Sequence, residues 1–284
     1  MEQRGAFTNF PQTKSRVNRM TYLNSKTNTK LNTKLNTRQI RCFKKVSSNR
    51  SMQMLTCYDF QTAQLLDETS LDLILVGDSL GNVVLGYDHT IEVSVDTMSL
   101  FSKAVKKGAP NKFVIADLPF GSYATMELGL ANSIKLFQQS GVEALKLEGA
   151  FAFQLDLILR LTQIGIPVMG HIGLTPQSVH EQGGFYTHGK DESSKDRLLK
   201  EALALEKAGC FSIVLECVEE KWAKKITEHL NIPTIGIGSG THTDGQVLVI
   251  NDLLHLGRND PPKFCKPIAN LYKTKKQLLN DYLK

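Results

Sequence analysis

The feature that most constrains this chain is a regular alternation of short apolar runs with longer amphipathic stretches, beginning near Ser51. The runs MQMLTCY, LDLILVG, KFVIADL, EALKLEG, IPVMGHIG, FSIVLEC and IPTIGIG have the length of strands and are apolar enough to be buried on both faces. Between them lie stretches such as VDTMSLFSKAVKKG, TMELGLANSIKLFQQSG, FQLDLILRLTQIG and SKDRLLKEALALEKAG. These carry apolar residues at helical spacing and stop at glycine, so they read as helices. Seven strand–helix alternations are visible, and GQVLVINDLL can hold an eighth. Repeated units of this kind specify a parallel sheet covered by helices. Closing eight of them takes about 250 residues, close to the 234 that follow position 50. A doubly wound open sheet would carry a glycine-rich phosphate loop after its first strand, and TCYDFQTAQ is not one. The expected fold is therefore α/β, a (β/α)8 TIM-type barrel over residues 51–284.

Residues 1–50 differ from the rest. They hold 12 of the Lys and Arg residues and a single acid, Glu2, for a charge of +11, whereas the remaining 234 residues carry −5. The formal charge of +6 thus belongs to a tail, and nucleic-acid binding by the body is not expected. The tail repeats Thr and Asn in KTNTKLNTKLNTR and is poor in large apolar groups, which predicts a disordered, low-complexity extension. Its basic, acid-poor composition also fits a transit peptide, and less well an anionic-surface contact. The expected compartment is cytoplasmic, with a mitochondrial location as the alternative if the tail is a transit peptide. The five cysteines are scattered and form no C-x-x-C pair, so reduced thiols are expected and a zinc site is not. No apolar run approaches the roughly 18 residues of a membrane span.

Four of the apolar runs deliver an acid at their C-terminal end: Asp78, Asp117, Glu148 and Glu216. In a barrel those ends form the active-site mouth, where Lys146 and His171 join them. Any one acid could cap a helix. Four at one mouth repel unless something neutralises them, and oxygen-only ligands suit Mg²⁺. Alternation puts Lys146 on the same strand face as Glu148, either binding a substrate carboxylate or balancing the acids. The residues therefore point to a metal-assisted reaction on a small anionic substrate, with an enolate on a 2-oxo acid and a carboxylate such as Glu216 as base.

The same stretches carry a family resemblance. LILVGDSLGNVVLGYDHT, GAPNKFVIADLPFGSY, LKLEGA, GHIGLTPQSVHEQGGF, LECV and IPTIGIGSGTHTDGQVLV resemble ketopantoate hydroxymethyltransferase from about Ser51 to about Lys266. The resemblance implies transfer of a one-carbon unit from 5,10-methylenetetrahydrofolate to 3-methyl-2-oxobutanoate, giving 2-dehydropantoate and tetrahydrofolate for pantothenate biosynthesis. It implies Asp78, Asp117 and Glu148 as Mg²⁺ ligands, the last through water. Asp78, Ser79, Asp117 and Lys146 would form the oxo-acid pocket and Glu216 would be the general base. His171 would line the site or serve as a hydrogen-bonded structural histidine. A homo-oligomer, commonly a decamer, is also implied.

The wording departs from the family's at Cys57, Ala150, Glu219, Ser239 and Asn251. None of these removes a metal or base residue; they bear on geometry around the site and on folate contacts. Related Mg²⁺-dependent lyases carry a catalytic cysteine in a KxCGH-type loop that is absent here, and Cys217 is expected to point away from Glu216 as a packing residue. A non-catalytic metabolite-binding protein is the other alternative, though a binder has no need of a base such as Glu216.

Overall fold

In a computed structural model, residues 34–44 and 49–284 are described. The chain divides into two units, 1–30 and 31–284, of which the first lies outside the described residues.

Eight strands close into a parallel barrel in sequence order. They are β1 (Met52–Thr56), β2 (Leu73–Val76), β3 (Phe113–Asp117), β4 (Ala144–Glu148), β5 (Val168–Gly173), β6 (Ser212–Glu216), β7 (Thr234–Ile237) and β8 (Gly245–Leu248). β8 closes the ring on β1. The helices in chain order are α1 (Thr37–Arg41), α2 (Phe60–Asp67), α3 (Val95–Gly108), α4 (Met126–Ser140), α5 (Ala152–Gln163), α6 (Val179–Gln182), α7 (Glu192–Ala208), α8 (Glu220–His229), α9 (Ile250–Leu253) and α10 (Leu271–Tyr282). Local sequence sets their ends. Ser94, Thr125 and Asp191 accept from backbone N–H groups in the first turns of α3, α4 and α7, satisfying donors that a helix start leaves open. Glycines 141 and 209 end α4 and α7 in the left-handed conformation.

Period-two alternation divides each strand between two cores. One set of side chains, such as Ile74, Val114, Leu145 and Ile213, meets the helices. The other fills the barrel, with Met52, Met54, Leu73, Phe113, Met169 and Phe211 toward the N-terminal ends of the strands. The inward positions of β3 are therefore Phe113, Ile115 and Asp117, and those of β4 are Ala144, Lys146 and Glu148. Packing fills the lower barrel and leaves the polar residues at the top.

The domain boundary expected at Ser51 is too late. Residues 34–44 belong to the barrel unit: Asn36 caps α1, and Ile40 is fully buried against Met52, Phe113 and Phe211. Arg41 Nη2 donates to the Gly209 carbonyl at 2.7 Å, and Lys44 Nζ lies 2.8 Å from Asp244 Oδ2. The cause is the open lower end of the barrel, where large apolar side chains need a cover. Ile40, with Leu35 and Phe43 packed against the same cluster, supplies it within a polar, basic stretch, and averaged composition hides it. The expectations of disorder, targeting and surface contact for residues 1–33 and 45–48 fall outside the described residues. Among those described, no helix is long and apolar enough to cross a membrane.

Ile40→Ala opens a cavity against Phe113 and Phe211. It is expected to lower unfolding free energy by about 2–5 kcal/mol, measured by urea denaturation. A loss below about 0.5 kcal/mol, within the range of neutral surface changes, would mean that α1 does not cover the barrel.

Candidate active site at the barrel mouth

Strand register builds the site. Asp117 pairs with Lys146 across β3 and β4, Glu148 with His171 across β4 and β5, and Gly173 with Glu216 across β5 and β6. Because every second residue points inward, Asp117, Lys146, Glu148, His171 and Glu216 all face the barrel axis and line one cavity of about 280 Å³ together with Asp78 and Ser79. All seven residues singled out in the sequence are thus brought together.

Asp78 sits in the turn after β2, where its backbone N–H donates to Asp117 Oδ2 at 3.0 Å. Lys146 Nζ lies 3.0 Å from Asp117 Oδ1 and 3.2 Å from His171 Nδ1. His171 stands between two carboxylates, with Nδ1 3.3 Å from Glu148 Oε1 and Nε2 3.3 Å from Glu216 Oε2. The side chains of Asp117, Lys146, Glu148 and His171 are 3–5% exposed, whereas Glu216 is 17% exposed. Glu216 is therefore the carboxylate with a path to solvent. Ser79 Oγ shares a 2.8 Å hydrogen bond with the buried Tyr58 hydroxyl.

The charges are unevenly settled. Burial, together with Asp117 and Glu148, holds Asp78 well above the usual carboxylate range. Burial also raises Asp117, against the opposing pull of Lys146. Glu148 is lowered instead, because hydrogen bonding and charge from His171, then Lys146 and the Gln177 N–H, outweigh its burial. Burial by itself would lower the Lys146 ammonium, but Asp117, Glu148 and Asp78 together hold it above its ordinary value. For His171, burial and Lys146 act downward, and the hydrogen bonds to Glu148 and Glu216 overcome both, lifting the imidazole to about 9. The floor of the cavity has more buried acid than the one ammonium and one imidazolium can balance.

That imbalance is an observation against which to test a divalent cation. Asp117 Oδ1 is buried without an aligned hydrogen-bond donor, and Asp78 uses Oδ2 alone, accepting from Gln177 Nε2 at 2.7 Å. Asp78 therefore keeps Oδ1 for a metal, whereas Asp117 Oδ1 meets only the unaligned Lys146 ammonium and would share that oxygen between the two cations. Glu148 has both oxygens engaged, by the Gln177 N–H and by His171. Among the described residues no three His, Cys, Asp or Glu side chains enclose an ion on their own. Two carboxylates, with the remaining positions left to water and substrate, is the usual protein contribution to a Mg²⁺ site, and the residues fit it.

Gln177 was not singled out in the sequence, although it lies in the GLTPQS stretch. Its side chain donates to Asp78 Oδ2 and to the Leu118 carbonyl at 2.9 Å, and accepts from Tyr123 Oη at 2.5 Å. Its backbone N–H donates to Glu148 Oε2 at 3.1 Å. It ties the two acids together, a role visible only once β5 carries it over the mouth. The left-handed Gly149 follows Glu148, and a side chain there would strike Gln154. Ala150 has no such conformation among the described residues, so the alanine needs no special backbone freedom. Glu219 caps α8, accepting from Trp222 N at 3.0 Å. Ser239 Oγ accepts from Val218 N at 3.0 Å and donates to the Leu215 carbonyl at 2.8 Å, tying the exit of β6 to that of β7. Cys217 lies beyond β6 with φ of 50°, so alternation does not set its direction. Burial and then Glu216 push its thiol up to about 11, the opposite of a reactive thiolate.

Comparison with known proteins gives the family. The family profile described as ketopantoate hydroxymethyltransferase matches residues 34–284, beginning at α1 rather than at Ser51. The 3-methyl-2-oxobutanoate hydroxymethyltransferase of Leptospira interrogans is 49% identical over 232 residues, covering 81% of this chain and 88% of that protein. The one of Thermosipho africanus is 51% identical over 229 residues, covering 80% and 86%. Among solved structures, a putative phosphonomutase from Burkholderia cenocepacia aligns with a TM-score of 0.59 at 12% identity, covering 86% of this chain and 94% of that one. A 2,3-dimethylmalate lyase aligns at 0.55 and 15% identity, covering 87% and 96%. These structures share the barrel fold. The extent and identity of the sequence matches show that the chain belongs to the ketopantoate hydroxymethyltransferase family.

Proposed function

We propose that this chain transfers a hydroxymethyl unit from 5,10-methylenetetrahydrofolate to 3-methyl-2-oxobutanoate, forming 2-dehydropantoate and tetrahydrofolate in pantothenate biosynthesis. The observation that carries the reading is the meeting of Glu216, Lys146 and the Asp78–Asp117 pair in one cavity, in a chain whose relatives bear that substrate's name.

The residues divide the work. Lys146, fixed by Asp117, places a buried positive charge at the floor for the oxo-acid carboxylate. Ser79, held by Tyr58, offers a hydroxyl beside it. Asp78 and Asp117 would hold Mg²⁺ directly and Glu148 through water. When bound, Mg²⁺ supplies a Lewis acid that draws electron density from the keto group and acidifies the neighbouring C3–H. Glu216 accepts the C3 proton, and its contact with His171 Nε2 keeps the carboxylate aimed inward. The carbanionic C3 then attacks the methylene carbon of the donor as one of its two carbon–nitrogen bonds breaks. Water displaces the second nitrogen and supplies the hydroxyl oxygen. The proton taken by Glu216 and the one released by water end on the two folate nitrogens, giving tetrahydrofolate. Gln177 holds Asp78 and Glu148 in place throughout.

Proton–deuteron exchange at C3 of 3-methyl-2-oxobutanoate, followed by NMR in D₂O with Mg²⁺, tests the base. Glu216→Gln should slow exchange by roughly 10²–10⁴-fold, the contribution of a positioned base. No exchange by the wild type, with or without the donor, would overturn the assignment.

Gln177→Ala leaves the direct participants in place but frees Asp78. A drop in kcat/KM of about 10–100-fold is expected, as for other residues that orient metal ligands, and an unchanged value would rule out that orienting role.

Mg²⁺ affinity should fall as pH falls. Asp78 is held well above the usual carboxylate range, so below that raised pKa a proton must leave before the carboxylate can ligate. Titration calorimetry in two buffers of different ionisation heat checks this as proton release on metal binding, greatest on the acid side.

A further inference from the structure

The reacting groups occupy the floor of the mouth, and the rim has a different chemistry. Asp252, in α9, is half-buried and lines both the main cavity and an adjoining one of about 270 Å³. Among the described residues its carboxylate makes no hydrogen bond or close ion pair, and His255, which lines the same second cavity, is the one titratable group acting on it. A half-buried carboxylate so placed can accept from a ligand. Phe264 lines the same main cavity and is 43% exposed, and its ring edge lies 3.0 Å from where a side chain on Gly238 would project, beside Cys217 Sγ. The ring thus rests on the exits of β6 and β7, close to Glu216. The second cavity is also lined by the exposed Arg258, which has no ion pair among the described residues.

We infer that the Asp252–Phe264 rim seats the pterin ring of the folate donor, with Arg258 outside it receiving the acidic tail. This rests on the donor assigned under the proposed function, and it names the residues that select that donor. The 2-amino-4-oxo edge of a pterin carries adjacent N–H and NH₂ donors, which a single carboxylate accepts in the two-point geometry it uses for a guanidinium. The flat ring stacks on an aromatic face, and Phe264 offers one next to the base. Seated there, the methylene carbon points down toward the C3 carbon held above Lys146. The tail leaves through the second cavity, where an arginine matches its carboxylates.

Steady-state kinetics with 5,10-methylenetetrahydrofolate and 3-methyl-2-oxobutanoate test the seat. Asp252→Asn should raise the donor KM about tenfold or more, the cost of an N–H group left facing another donor. The KM of the oxo acid should shift less than about twofold, since that substrate meets the floor. In the wild type the donor KM should climb with added KCl, as a screened ion contact requires. Arg258→Ala should raise it several-fold at low salt and flatten that dependence. If the wild type exchanges the C3 proton yet forms no product with this donor, the donor assignment itself fails. If it forms product and Asp252→Asn keeps the wild-type donor KM, the donor stands and the seat is overturned. A salt response in Arg258→Ala equal to that of the wild type would overturn the placement of the tail.

Discussion

The mouth of this barrel depends on one buried pair, the Lys146 ammonium 3.0 Å from Asp117 Oδ1, both nearly inaccessible to water. Stripping two charges of water is expensive, and a buried pair of this kind is a weak source of stability by comparison with apolar packing. Removing one partner is far worse, at about 3–5 kcal/mol, because the other is left buried and alone. The pair therefore constrains the rest. Asp117 is committed to Lys146 and to the Asp78 N–H, and Asp78 is then crowded by a neighbouring carboxylate it cannot escape. The next rung repeats the arrangement, with Glu148 facing His171, and His171 passes the tension on to Glu216. The parallel register converts a list of acids into a graded series of protonation states, from Glu148 held low to Asp78 held high.

Much of this was legible in the sequence because strand periodicity is a rigid rule. Once KFVIADL and EALKLEG are strands, Asp117 and the Lys146–Glu148 pair must share the inner face, and barrel closure sends them to one end. What was not legible depends on contacts between segments far apart in the chain. Gln177 reads as an ordinary polar loop residue until a 99-residue separation is closed and its amide meets Asp78. Ile40, Leu35 and Phe43 are scattered apolar side chains in a stretch rich in Lys, Asn and Thr, and only the open lower end of the barrel gives them a purpose. Asp252 was not singled out in the sequence, since nothing local tells an acid without a partner from one with a partner.

The departures from family wording show the same division. Glu219 and Ser239 both have local work, the first capping α8 and the second bridging the exits of β6 and β7. An acid accepting from the first turn of a helix also suits the helix dipole. Both residues hold segments that follow β6 and β7, and none of the named departures is one of the inward-pointing acids. Asn251 lies beside Asp252 on the second cavity, outside the group of inward-pointing acids.

The base-bearing strand shows how firmly that exit is fixed. Cys217 follows Glu216 in the left-handed region, a conformation that costs an ordinary residue about 1–2 kcal/mol. It persists because its neighbours leave it no alternative. The Glu216 carbonyl accepts from Leu174 N at 2.8 Å, Cys217 N donates to the Ile237 carbonyl at 2.9 Å, and the Cys217 carbonyl accepts from His188 N at 2.8 Å. Gly173 makes room for this approach, since a side chain there would run into the Glu216 carbonyl. Had β6 continued in extended form, alternation would carry the chain straight out of the mouth. The left-handed residue instead turns it sideways directly after the base, so that the last inward position of the strand is Glu216 and the chain beyond it clears the space above. Strain held by surrounding hydrogen bonds at such a point is what an aimed side chain requires, and the same turn leaves the space beside Gly238 in which the Phe264 ring lies.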